Sequence, residues 1–243
     1  MISTLDNGLR VVSRQLAGLE TASVGLYADC GSRHELEPLN GLAHLFEHMV
    51  FKGAGSRSAR EISEAIEDVG GELNAATDRD GTSFTAAILG EDMPLAVELI
   101  ADLVTSPHFD ADDLDREKDV VIQELAEVED TPSDLIFDEL WTAAFADQPL
   151  GRPVLGSEDS IERISVADLH QWRTSRYRAE DFALPHRYGH MGPGWGWGGT
   201  GGGGGGNPAP VSRGVAGAGA APGGGGRRGG RPAGGRCGVR GRR

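Results

Sequence analysis

The chain of 243 residues carries 37 Asp+Glu against 23 Lys+Arg, a formal net charge of −14, and its 38% hydrophobic residues suffice to bury a core. All the acids and 14 of the basic residues fall in residues 1–182, whereas residues 183–243 hold nine arginines, no acid and 25 of the 38 glycines, so a globular part is expected over 1–182 and a Gly/Arg/Pro-rich disordered tail over 183–243. No run of 18 apolar residues and no charged-then-apolar leader is present, which argues against a membrane-spanning or secreted chain, and the acidity of residues 1–182 argues against nucleic-acid binding while weakly favouring basic partners.

Gly8 to Gln15 and Thr21 to Cys30 read as two strands, with Val11, Val12, Val24, Leu26 and Tyr27 giving short β-type apolar stretches, and an antiparallel pair fits them best. Cys30 and Cys237 are the only cysteines, too few for a disulfide framework or a thiolate zinc site, so a reducing cytoplasm is the expected compartment. After the polar loop Gly31 to Asn40, the stretch Gly41 to Phe51 has helical composition and is apolar almost all round, which marks a buried helix. Ser58 to Val69 predicts a second helix, with Ile62, Ala65, Ile66 and Val69 at helical spacing and Gly70-Gly71 as its stop. Glu72 to Thr77 and Thr82 to Leu89 flank the turn-forming Asp78-Arg79-Asp80-Gly81, as in a hairpin. From Glu91 the chain turns helical, over Glu91 to Thr105, Asp110 to Asp130, Pro132 to Ala146 and Val166 to Tyr177. Strands and helices in separate runs predict an α+β fold, an antiparallel sheet with helices packed on one face. Phe182-Ala183-Leu184 opens one more strand, but Pro185 follows and the apolar pattern does not resume, so the domain is expected to stop mid-element.

Inside the buried helix, His44, Glu47 and His48 stand at i, i+3 and i+4, and at about 100° per residue they share one arc of the helix. Two imidazoles one turn apart can reach one metal ion, and the carboxylate between them is placed to take a proton from water at that metal. Such a pattern arises by chance only about 0.015 times in a chain of this length and composition. The bland reading, two hydrogen-bonded core histidines and a Glu47 paired with a cation, leaves three ionisable groups on a buried arc that each need a partner. A catalytic zinc needs a third protein ligand, and the helix Asp110 to Asp130 offers Glu117 and Glu124 at the margin of its apolar stripe Leu114, Val121, Leu125 and Val128. Seven residues separate the two by about 10.5 Å along the axis, so one can bind the ion and the other at most supports it; spacing does not rank them. Both could equally belong to a solvated acidic face with Glu127 and Glu129.

The block Gly31-Ser32-Arg33-His34-Glu35, then Gly41 to Met49 (GLAHLFEHM), then Phe51-Lys52-Gly53, closely resembles the pitrilysin/insulinase family of zinc peptidases, whose inverted signature is H-x-x-E-H. It looks most like the bacterial members akin to mitochondrial processing peptidase. The likeness continues through Gly70 to Ala75 with Thr77, Val120 to Glu124, Glu129 to Pro132, and Leu150-Gly151 to Leu155-Gly156, and so covers nearly all of residues 1–182. It implies that His44, His48 and Glu124 are the zinc ligands, that Glu47 is the general base with Glu117 as the supporting catalytic carboxylate, and that the strand around Asn74 and Ala75 holds an extended peptide by its backbone.

Family members carry a second homologous half that closes over the substrate, and residues 183–243 do not resemble one. The resemblance therefore implies the N-terminal half of a zinc metalloendopeptidase hydrolysing peptides or unfolded segments, inactive until a second half or subunit joins it. Residues 183–243 use amino acids whose codons are mostly G and C, as expected of a GC-rich gene read out of frame, and their arginines lack the interleaved aromatics of an RNA-binding arm. The rival from another class is a non-catalytic, processing-peptidase-like subunit or scaffold that binds a peptide or a partner chain.

Overall fold

The structure, a computed structural model, describes residues 1–188; the expected tail lies, from residue 189 onward, outside the described residues. In chain order the elements are β1 (Ile2–Thr4), β2 (Arg10–Gln15), β3 (Thr21–Ala28), α1 (Leu42–Val50), the short hairpin β4 (Gly53–Ala54) and β5 (Arg57–Ser58), and α2 (Ala59–Glu67). There follow β6 (Glu72–Thr77), β7 (Thr82–Leu89), α3 (Met93–Thr105), α4 (Ala111–Asp130), α5 (Pro132–Ala144), α6 (Glu158–Arg163), α7 (Val166–Arg176) and β8 (Phe182–Tyr188). Six strands form one sheet in the order β1-β2-β8-β3-β7-β6. The fold is α+β, with helices on one face, as expected.

Alternation in the strands decides which face that is. Ala22, Val24, Leu26 and Ala28 of β3 and Phe84, Ala86 and Ile88 of β7 turn toward the helices and are buried, while Tyr27 on the opposite face stays 48% exposed. α1 and α3 cover that buried face. α1 brings Leu42, Leu45, Phe46, Met49 and Val50, and α3 brings Met93, Leu99, Ile100 and Leu103. The apolar girth of α1 thus corresponds to a helix enclosed by sheet and helices. Cys30 is buried and its thiol, donating to Arg176 O at 3.9 Å, is pushed up to about 12 by that burial.

Three features depart from the sequence expectation. β2 and β3 do not pair with each other, because β8 inserts between them. β8 runs antiparallel to β3 but parallel to β2, so the sheet is not purely antiparallel. A parallel pair needs a long crossover, and the whole helical part of the chain lies between β2 and β8. β8 also does not stop at Leu184: it continues to Tyr188, with Phe182, Leu184 and His186 buried in alternation. Its ladder to β3 skips the positions opposite Gly25 and Leu26, pairing Val24 with His186 and then Tyr27 with Ala183. Pro185 sits in that gap, where its missing N–H leaves nothing to donate. β1 and α6 are not legible as elements in the sequence; β1 is only three residues long, too short for an alternation to show.

Phe46 is fully buried at the centre of this packing, edge-on to Phe109 at 5.4 Å and tilted against Tyr177 at 4.6 Å between ring centroids. Phe46→Ala should lower the unfolding free energy by about 3–5 kcal/mol, read from urea unfolding. A loss below about 1 kcal/mol would mean that α1 is not enclosed as described.

Candidate metal centre

α1 is short, nine residues, and only its arc of His44, Glu47 and His48 is polar. That arc faces α4, whose stretch from Glu117 to Glu124 runs alongside. His44 Nε2 and His48 Nε2 each lie 3.7 Å from Glu124 Oε2, and one donor atom from each of the three residues falls within 4.8 Å of the others. Those separations are too long for hydrogen bonds. The two 3.7 Å distances to Glu124 are close to the roughly 3.3 Å between donors of a tetrahedral site with 2.0–2.1 Å metal bonds. Three donors converge without bonding one another, the arrangement a cation would complete, and two imidazoles with one carboxylate suit zinc.

The imidazoles are prepared for that role in different ways. Burial pushes His44 down to about 4, with the neighbouring His48 adding to the effect, so its ring is neutral at physiological pH. The two rings meet edge-on at 4.6 Å between centroids. His48 Nδ1 lies 3.1 Å from Glu117 Oε2, and a donor at Nδ1 leaves Nε2 with its lone pair toward Glu124. Glu117 is 7% exposed, and its other oxygen meets Lys52 Nζ at 2.7 Å. In the sequence Lys52 is one residue of the Phe51-Lys52-Gly53 block. It lies in the turn two residues beyond the end of α1, where helical spacing does not place it, so no sequence signal marked its contact with Glu117.

Glu47 lies on the same arc. Burial holds its carboxyl above the usual carboxylate range, while hydrogen bonding from Thr77 pulls the other way. Its Oε2 is buried with no hydrogen-bond partner among the described residues. Thr77 is the last residue of β6, which is the edge strand at the opposite side of the sheet from β1 and pairs only with β7 among the described residues. Asn74 and Ala75 are on that edge, and Asn74 Oδ1 accepts from Ala75 N at 2.8 Å. The hairpin that follows is tied down by Arg79, which donates to Leu150 O at 3.2 Å, pairs with Asp138 at 2.7 Å and stacks over Trp141 at 4.8 Å from the ring centroid. The sequence-identified residues therefore gather in one region: His44, His48 and Glu124 around a point, Glu117 behind His48, Glu47 beside them, and Asn74 and Ala75 on the strand that carries Thr77.

Comparison with known proteins identifies the family and the fold. Residues 10–158 match the family model described as Insulinase (Peptidase family M16). The chain is 44% identical over 178 residues to an uncharacterised zinc protease of Mycobacterium bovis, covering 73% of this chain and 41% of that protein. It is 39% identical over 183 residues to the mitochondrial-processing peptidase subunit beta of Rattus norvegicus, 75% of this chain and 37% of the other. Among solved structures, a protease from Helicobacter pylori superposes with a TM-score of 0.73 at 25% identity, covering 76% of this chain and 45% of that one. An M16 inactive domain from Pseudomonas fluorescens shares the fold at a TM-score of 0.72 and 21% identity, covering 77% and 46%. The chain spans about 40% of the length of these curated relatives.

The two carboxylates of α4 predict an order of metal loss. His48→Ala and Glu124→Gln should each leave the chain empty at zinc concentrations where Glu117→Gln, weakened about 10- to 100-fold, still fills. A chelator competition titration reads this directly, and Glu117→Gln losing more zinc than Glu124→Gln would reverse the assignment of the two.

Proposed function

The chain belongs to the insulinase family of peptidases, family M16, and from that premise we propose that it is the N-terminal half of a zinc-dependent metalloendopeptidase of the processing-peptidase type, acting on peptides or unfolded segments. The observation that carries this reading is the convergence of His44, His48 and Glu124 within 4.8 Å beside the buried, unpartnered Oε2 of Glu47. A zinc ion held by His44, His48 and Glu124 would supply Lewis-acid polarisation of a peptide carbonyl and a more acidic water. Glu47, raised in pKa by burial and open at Oε2, takes the proton of the attacking water and returns it to the leaving amine. Glu117, backed by Lys52, holds His48 in the tautomer and orientation that the site needs.

The substrate lies as an added strand on β6. The amide of Ala75, which Asn74 engages in the free chain, exchanges that partner for a peptide carbonyl, and Thr77 at the end of the same strand couples the bound peptide to Glu47. A non-catalytic scaffold has no use for an unpartnered buried carboxylate oxygen beside a metal-competent cluster, which favours the enzyme over the scaffold. In this reading the peptidase domain runs past the boundary at residue 182 expected from the sequence, because β8 carries the sheet on to Tyr188, and the Gly/Arg-rich residues that follow are a tail read out of frame, a division that sequencing the DNA from codon 182 onward tests. No helix among the described residues is long and apolar enough to cross a membrane, and we assign the protein to the cytoplasm.

A lone half leaves the cleft open to bulk water, which weakens every electrostatic interaction at the reacting carbonyl. The full chain should therefore cleave a fluorogenic peptide weakly or not at all, and more strongly when the C-terminal half of an intact family member is added. Glu47→Gln should abolish that cleavage while zinc stays bound, and parent activity should fall on the acid side as Glu47 takes up a proton. Strong chelator-sensitive cleavage by the chain alone would show that no second half is needed, and cleavage surviving Glu47→Gln would remove Glu47 from its role.

A further inference from the structure

α1 begins at a residue that cannot cap it. Its N-cap is Gly41, with φ at +96°, and a Cβ there would come within 2.5 Å of both Ile161 Cδ1 and Leu155 O, so this position has to be glycine and has no side chain to offer the first amides of the helix. Those amides are buried and need an acceptor. The acceptor comes from Glu35, six residues upstream and across a turn. Its Oε2 takes hydrogen bonds from Gly41 N at 2.8 Å and Asn40 Nδ2 at 2.8 Å, and its Oε1 takes one from Ala43 N at 2.7 Å.

Glu35 is itself 5% exposed and held from both ends. Arg152 donates to its backbone carbonyl at 2.8 Å, and Asn40 is fixed in turn by donating to Pro153 O at 3.1 Å and accepting at its own carbonyl from Ser160 Oγ at 2.7 Å. Burial pushes the Glu35 carboxyl up to about 7 against the pull of its three N–H donors. A carboxylate buried at such cost, in contact with the helix that carries both imidazoles, calls for a reason beyond packing.

We propose that Glu35 is a positioning residue for the metal centre: by accepting from Gly41 and Ala43 it fixes the first turn of α1 and so the direction in which His44 presents Nε2 to Glu124. This rests on the metal reading given above. The two imidazoles depend on different supports. His44 is the third residue of α1 and directly follows Ala43, so its place is set by the first turn, which frays when its amides lose their acceptor. His48 sits one turn deeper and is held by Glu117. Glu35 therefore governs one ligand and not the other. Glutamine is the informative substitution, because it keeps the shape but sets an amide N–H₂ against amide donors.

The test uses the full chain and two readouts: zinc affinity by chelator competition, and residue-by-residue amide exchange of the zinc-free chain by NMR. Glu35→Gln should weaken zinc binding by about 10-fold or more and speed exchange across residues 42–45, with little change over 48–50. The exposed Glu37→Gln should do neither. Unchanged zinc affinity in Glu35→Gln overturns the proposal, as does acceleration spread evenly along α1, which would mark a purely structural cap. If Glu35→Gln does not fold, the parent chain decides: the Gly41 and Ala43 amides must be protected, and free-peptide exchange at either overturns the proposal. A parent chain that takes up no zinc sinks the metal reading instead, a result distinct from a parent that binds zinc and a Glu35 variant that binds it equally well.

Discussion

Two imidazoles and a carboxylate on one arc of a helix enclosed by an apolar core carry a desolvation cost of several kcal/mol unless each finds a partner. On α1 the cost is met by position more than by pairing. His44 stays neutral, His48 Nδ1 meets Glu117 at hydrogen-bond distance, and Glu47 keeps a raised carboxyl with one oxygen unmatched. Every neighbour of that arc follows from this constraint. α4 must run alongside with carboxylates at seven-residue spacing, Lys52 must neutralise the buried Glu117, and the opposite side of α1 must be apolar enough to hold the helix against the sheet. Replacing the polar arc by apolar residues would relieve the cost and leave no cation site, which is why the arrangement reads as chemistry and not as packing.

The sheet contributes through its edge. A strand with unpaired N–H and C=O groups is a hazard for association unless covered or used. Among the described residues β6 is one of the two edge strands, β1 being the other, and Thr77 at its end lies against Glu47. In the proposed reading, a peptide pairing with β6 would pass the Glu47 carboxyl that takes the proton of the attacking water. The Arg79 contacts with Leu150, Asp138 and Trp141 fix the hairpin end of this strand to the helical layer, so the edge is held at a set distance from α1 without a covalent link.

Much of this was legible along the chain. The apolar girth of Gly41 to Phe51 signalled a buried helix, the i, i+3, i+4 spacing of His44, Glu47 and His48 signalled one shared arc, and the strand-turn-strand pattern from Glu72 to Leu89 gave the hairpin within a residue. These are local properties, set by 3.6 residues per turn or by strict alternation, and they survive whatever the rest of the chain does. The expected antiparallel pairing of the first two strands failed for the opposite reason. Their alternation was read correctly, but which strand lies beside which depends on where β8 returns after the whole helical region, and no local pattern records that.

The candidate site divides along the same line. The sequence by itself determined that α1 could hold a metal and that α4 offered two carboxylates to complete it. Only the tertiary structure decided that Glu124 faces both Nε2 atoms while Glu117 meets Nδ1 of His48, that Lys52 backs Glu117, and that Glu35 caps a helix whose own N-cap is a glycine. Helical periodicity fixes the face on which a side chain lies, but the rotation of one helix against another, and the path of a turn that brings residue 35 back to residue 43, are set by packing between distant parts of the chain.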